Sequence, residues 1–272
     1  MRPKANEIGG SYSLLLYRYT GALGLGNQGR ISHALSELRE VYRLAELNGD
    51  RFFLPRVPNA LGWLHRELLD METALKWDVE GARIAHEMGC DEAEANSHVN
   101  LGHDYLVLGE PARAYEHLEE AARIFERDAW YRWRYNIRLR AERASYWIAR
   151  GDLKQAADYA AASLESAKTT LSRKHWAWAH KLLGDIALLE DRAPDSRSEY
   201  AQALSILEHY SCPIIEWKIL LAAADAARRL HDTSSADSFR ARALHVVQSL
   251  AEAITELPLR QRFVASKPIR DI

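Results

Sequence analysis

Residues 95–128 read ANSHVNLGHDYLVLGEPARAYEHLEEAARIFERD. Counting residue 95 as position 1, Leu101 and Gly102 fall at positions 7 and 8, Tyr105 at 11, Gly109 at 15, Ala114 at 20, Leu118 at 24 and Ala121 at 27. This spacing describes two antiparallel helices in close approach. A small residue at position 8 of the first helix lets the second helix, with alanine at 20, pack tightly against it. A further small residue at 27 admits the first helix of a following unit, and large residues at 7, 11 and 24 fill the space between. Glycine at 15 permits the tight turn between the helices.

The same register runs along the chain. Position 8 becomes Ala22, Gly62, Gly102, Ala144, Gly184 and Ala224; position 20 becomes Ala34, Ala74, Ala114, Ala156, Ser196 and Ala236. Position 27 becomes Val41, Gly81, Ala121, Ser163, Ala203 and Ala243. The step is 40 residues throughout, except for one of 42 between the third and fourth units. Only Val41 departs from Gly, Ala or Ser, a regularity that chance does not supply. Turn-forming stretches at 47–50 (LNGD), 87–90 (EMGC) and 208–213 (EHYSCP) close second helices.

These residues resemble the tetratricopeptide repeat, whose standard unit is about 34 residues. Helices or connections here are therefore about six residues longer. The 40-residue period is similar to the arrays of bacterial multidomain signalling ATPases, adenylate cyclases and kinases, in segments such as NALGWLHREL, WYRWRYNIRL, SRKHWAWAHKLLGD and LRQRFVASKPIR. The likeness covers the chain from about residue 11. It implies an all-α, right-handed superhelical solenoid of about six helix pairs (about 11–50, 51–90, 91–128, 129–170, 171–212 and 213–256). A polar N-terminal tail (1–10) precedes them, and a C-terminal capping helix and tail (257–272) cover the last open face. The abrupt start is consistent with an upstream ATPase, cyclase or kinase module, and a free-standing protein or homo-oligomer fits as well.

Composition agrees with a binding protein. The 272 residues are 47% apolar and carry 12 Tyr, 8 Trp and 5 Phe, rings that suit helix interfaces and binding surfaces alike. Net charge is −2, so nothing global draws the chain to nucleic acid or anionic membrane. No run reaches the ~18 apolar residues of a membrane span, and the N-terminus lacks a signal core, so a cytoplasmic location is expected. Cys90 and Cys212 read as reduced thiols outside any metal-ligand spacing.

Candidate chemistry gives way to simpler readings. GLGNQG at 24–29 satisfies G-x-G-x-x-G, but the register puts Gly29 at the turn position, where a dinucleotide site would need a strand. The eleven histidines form no H-E-x-x-H, and His98/His103 and His175/His180 are five apart, off a shared helical face. No catalytic set, cofactor or metal site is expected. The Arg- and Trp-rich helix near 127–143 resembles the aromatic–basic mixture of single-strand nucleic-acid binders, which supplies the alternative function, a regulatory module contacting nucleic acid or nucleotide. Helix packing with peptide contact is the preferred reading of that run, and nucleic acid is not expected as a partner.

In the repeat family, positions 2, 5, 9, 12 and 13 face the concave groove. Transferred here they select Arg56, Asn59, Trp63, Arg66 and Glu67; Asn96 and His103; Arg138 and Ser145; Trp178, Lys181 and Asp185; and Lys218, Asp225, Arg228 and Arg229, with Val99, Leu106, Val107, Ala141, Ile148, Ala149, Leu188, Leu189 and Leu221 between them. Seven of these are cations and three are anions, a local excess of positive charge on a slightly acidic chain. The expectation is a non-catalytic scaffold or sensor that takes a protein or an extended acidic peptide, with Arg and Asn on its carboxylates and backbone and the tryptophans as anchors. Binding on the convex face or edges is the alternative. Groove residues are expected to face solvent, so that removing Arg56 and Arg66 should weaken binding and leave folding little affected.

Overall fold

The structure is a computed structural model that describes residues 5–127 and 132–272, with side chains from residue 12 and, after the gap, from residue 134. Twelve helices follow as six pairs: α1 (Ala5–Asn27) and α2 (Ile31–Asn48), α3 (Val57–Glu67) and α4 (Met71–Glu87), α5 (Asp91–Val107) and α6 (Pro111–Arg127), α7 (Arg132–Arg150) and α8 (Leu153–Thr169), α9 (Arg173–Leu189) and α10 (Ala193–Glu208), and α11 (Pro213–Arg229) and α12 (Thr233–Glu252). Two short helices close the chain, α13 (Leu257–Ala265) and α14 (Lys267–Arg270). No strand occurs among the described residues. α1 starts within the stretch read as a polar tail, because an apolar helix continues into it.

The register is visible in the packing. All the residues at positions 8, 20 and 27 are buried in all six units, the fourth included. A Cβ added at Gly102 would fall 2.5 Å from the Leu118 side chain, and one at Gly184 would fall 2.5 Å from the Tyr200 ring. Position 8 is thus the floor on which the residue at position 24 rests. The turn at position 15 is left-handed in every unit, at Gly29, Leu69, Gly109, Gly151, Asp191 and His231. Elsewhere sequence supplies the caps: Asp152 and Asp232 accept the N–H groups of Gln155 and Ser235 at 3.0 Å, satisfying donors that a helix start leaves free.

Ala114→Leu should therefore overpack the α5–α6 contact and cost about 1–3 kcal/mol in chemical denaturation. Glu119 is no neutral control for it, since its carboxylate receives Arg143, which occupies position 7 of the fourth unit in place of leucine. Exposed Glu116 has no such bond, and Glu116→Gln should change stability by less than about 0.5 kcal/mol.

First helices touch first helices of the next unit (α1 with α3, α3 with α5, and so on to α9 with α11), so they line the inside of the solenoid. The array also closes on itself. The α1–α2 turn lies against Leu250 of α12 and Pro213 of α11. Ser32 donates to Glu256 and accepts the Thr255 N–H at 2.9 Å, Arg39 reaches Glu256 at 3.3 Å, and Arg262 of α13 reaches Asp70 at 3.4 Å. Leu259, Phe263 and Ile269 belong to one continuous core with Leu35, Leu38 and Leu64. The terminal helices thus do more than cap the last unit: they wedge it against the first two.

Candidate binding cavity

Closure turns the inner face into an axial cavity of two adjoining chambers. One, of about 280 Å³, is lined on its apolar side by Trp63, Leu69, Met71, Val107, Trp178 and Ile215. The other, of about 150 Å³, is more polar and includes Asn27, Asn59, Asn96, Arg134 and Tyr135. Trp63, Arg138, Lys174 and His175 border both and form the waist between them.

The most buried charges among the described residues, Asp78 and Asp104, stand behind this wall. Arg66 donates to Asp104 at 2.7 Å and to Asp78, and both carboxylates are 0% exposed. Asn100 donates to Asp78 at 2.6 Å and to the Asn59 side-chain oxygen at 3.2 Å, and Arg138 donates to Asn96 at 2.5 Å and to Asn100 at 2.6 Å. The network thus stitches the second, third and fourth units together. Burial pushes the Asp78 carboxyl well above its ordinary range; Arg66 opposes the shift and Asp104 adds to it. Arg56 likewise binds buried Glu92, which also accepts the Tyr135 hydroxyl at 2.7 Å.

Facing the cavity, Lys218 donates to Glu67 at 2.8 Å and the Trp63 indole N–H donates to the same carboxylate at 3.0 Å. Burial works against ionisation of Glu67, but Lys218 and Lys174 hold it down to about 2. His103 pairs with Glu142 at 2.9 Å. The Lys174 ammonium lies 4.5 Å from the Trp63 ring centre, a cation–π contact, and burial pushes its pKa down. Burial, followed by the charges of Lys174, Arg138 and Arg134, lowers His175 to about 3, so its ring is neutral.

Of the residues expected in the groove, Trp63, Arg66, His103, Arg138, Trp178 and Lys218 border the larger chamber, and Asn59 and Asn96 the smaller. Arg56 lines neither. Ser145 bonds back to Ala141 of its own helix, Lys181 pairs with Asp185 at 2.5 Å, and Asp225 pairs with Arg228 near the shallow rim around Leu188 and Arg229. The expectation of solvent-facing groove residues is corrected for Arg66, Asn59 and Asn96, which are buried because a neighbouring unit presents their partners. Arg56 is half-buried, its guanidinium held between Glu92 and the Phe52 carbonyl oxygen.

No protein-family model and no curated protein matches the chain. Solved structures do. NprR in complex with its cognate peptide NprX is 16% identical, with 95% of this chain and 76% of that one covered and a TM-score of 0.66. Apo RapI is 14% identical, with 88% and 84% covered and a TM-score of 0.65. A signal transduction ATPase with numerous domains and a tetratricopeptide repeat sensor, from Pyrococcus horikoshii, is 15% identical; the match covers 89% of this chain and 42% of that one, with a TM-score of 0.52. The fold is a tetratricopeptide-repeat solenoid.

Its longer period explains what the groove positions missed. α5, α7, α9 and α11 each start four or five residues before position 1, adding a turn to the first helix. Arg134, Lys174, His175 and Ile215 sit on those added turns and reach the cavity. Part of the Arg/Trp-rich run (128–131, and the side chains of 132–133) lies outside the described residues. Among its later arginines, Arg138, Arg140 and Arg143 bond to Asn96 and Asn100, to Ser166 and the Ala162 carbonyl oxygen, and to Glu119. GLGNQG forms the end of α1 and its turn, with Gly26 against Leu64 and Trp63. Among the described residues no group of three or more His, Cys, Asp or Glu could hold a metal ion, and no helix is long and apolar enough to cross a membrane.

Proposed function

We propose that this tetratricopeptide array is a binding scaffold for a protein or peptide, and that a segment of the partner enters the axial cavity between the first helices. The observation that carries this reading is the cavity itself: inward-facing Trp63 and Trp178 beside Lys174, Arg138 and Lys218, against only Glu67 and Glu142. Aromatic anchors with a nearby arginine are the usual hot-spot chemistry of recognition sites. Two solved structures of this fold support it by analogy, NprR with its cognate peptide NprX and a Rap protein complexed with competence and sporulation factor. The charge excess favours an acidic segment.

The test is selection of binding peptides from a random library, followed by affinities with two variants. Trp178→Ala removes an anchor. Val107→Glu places an anion beside the larger chamber at a residue that is 55% exposed, so folding is spared. Selected peptides should be acidic, and each variant should weaken them at least about tenfold. Unchanged affinity in both variants, with loss on altering exposed second-helix residues Glu116 and Arg123, would place the site on the convex face and overturn the reading.

A further inference from the structure

The repeat register shows which face of a first helix meets the preceding unit. Position 3 of the third unit, Ser97, lies against Gly81 of α4, where an added Cβ would fall 3.1 Å from its hydroxyl. Position 7 of the fourth unit, Arg143, donates to Glu119 of α6. Tyr146 at position 10 packs on the Tyr115 ring of α6, with 5.3 Å between centres. Every residue at positions 3 and 10 is buried in the second to sixth units, from Val57 and Leu64 to Ile219 and Ala226. In the first unit the same face is bare. Tyr17 at position 3 is 76% exposed, Leu14 one turn earlier is 51% exposed, and Gly21 and Gly24 at positions 7 and 10 are exposed as well. A Cβ added at either glycine would meet nothing within 4 Å. Together with His33 and Glu37 of α2, this face forms an open groove of about 590 Å³. The opposite side of α1 carries Tyr19, Leu23 and Asn27 into the smaller chamber of the cavity.

We propose that this groove is a homodimer interface, in which α1 of a second copy lies antiparallel across Gly21 and Gly24. In all the later units the same positions are already a helix–helix interface, so the fold itself shapes the face to receive a helix. A second copy cannot supply that helix by stacking head to tail, because the matching face of α12 is occupied. Its Ala243, Val247 and Leu250 are buried in one core with Leu259 and Phe263 of α13. What remains is a two-fold contact of the face with itself, which has to be self-complementary. The face meets that condition. Tyr17 stands two turns from Gly24, about 10 Å along the axis, so a two-fold axis midway between them sets each copy's ring over the other's glycine. Charge agrees with shape: Arg18 and Glu37 lie 3.6 Å apart at the groove, one cation beside one anion, so doubling the face brings no excess of like charge together. The interface lies outside the cavity and does not depend on what fills it.

Sedimentation of the full chain over a range of concentrations tests the interface. A monomer–dimer equilibrium is expected, with monomer recovered on dilution. Gly24→Leu fills the hollow that receives Tyr17. Its first side-chain carbon meets nothing in its own chain, and leucine suits a helix better than glycine, so the variant should fold at least as well as the parent. Its dimer should be weaker by at least about tenfold, and so should that of Tyr17→Glu, whose site is exposed in the single chain. Circular dichroism checks that both variants keep their helices. Gly21→Cys, made with Cys90→Ser because the other natural thiol, Cys212, is buried, should form a disulfide-linked dimer under an added thiol oxidant, since the axis passes beside residue 21. A chain that stays monomeric at every concentration would overturn the proposal, including one that takes a helix of another protein in this groove instead. So would a dimer unmoved by both Gly24→Leu and Tyr17→Glu, or a dimeric Gly21→Cys variant that fails to cross-link.

Discussion

Arg66→Ala should destabilise the fold by about 3–5 kcal/mol, measured by urea unfolding at neutral pH. The guanidinium lies between Asp78 and Asp104, both fully buried, and its removal leaves two carboxylates with no counter-charge. The loss should depend on pH in a definite direction. Burial already raises the Asp78 carboxyl well above its ordinary range, and without Arg66, which opposes that shift, it would rise further. A carboxyl raised in this way costs stability above its unfolded pKa, and the cost disappears as acid protonates it in both states. The variant should therefore fall furthest behind the parent near pH 8 and recover toward pH 4. Asp104→Asn added to Arg66→Ala should restore part of the loss, since the two sites share one interaction. A loss below about 0.5 kcal/mol, flat with pH, would mean that Arg66 is a solvated groove residue after all.

Phe263→Ala should cost about 3–5 kcal/mol, although its nine-residue helix lies at the end of the chain. The ring is 1% exposed in the core shared by the first three helices and the last units. Its helix is also fastened by Arg262 to Asp70, and the preceding residues Thr255 and Glu256 are fastened to Ser32 and Arg39. A terminal helix that merely covered the last unit would lose less, and the first unit would not notice. Hydrogen exchange separates the two cases: in the variant, protection should fall in α2 and at the start of α3 as well as in α12. Exchange confined to residues 245–272 would show that the seam contributes little.

Most of the fold was legible in the sequence because close helix approach can be met only by small residues, and their recurrence fixes register, unit number and turn positions together. Position 15 shows how far tertiary context overrides local preference: Leu69, Asp191 and His231 adopt the same left-handed turn as Gly29. The cavity was only partly legible. Trp63, His103, Arg138, Trp178 and Lys218 follow from the groove positions, whereas Lys174 and Arg134 ride on helical turns that the shorter consensus lacks. The burial of Arg66 did leave a signal. Position 24, occupied by Leu118 and Tyr200 in the third and fifth units, is Asp78 in the second, resting on Gly62. A carboxylate at a packing position requires a buried cation, and Arg66 is that cation. Closure of the array left no comparable mark, because a contact between the first and last units has no period.

That closure changes what kind of polymer this is. An open repeat array behaves as a one-dimensional chain: units add in any order, and its end units fray independently. Here Ser32 meets Glu256 across 224 residues and Arg39 meets it across 217. Bonds of such separation carry a large loop-closure entropy until the intervening units are in place, so they form late and raise the contact order of an otherwise local fold. Once formed, they deprive the array of free ends. A unit that opens must then break its neighbour contacts on both sides, wherever it sits, and local fluctuation becomes a property of the whole ring.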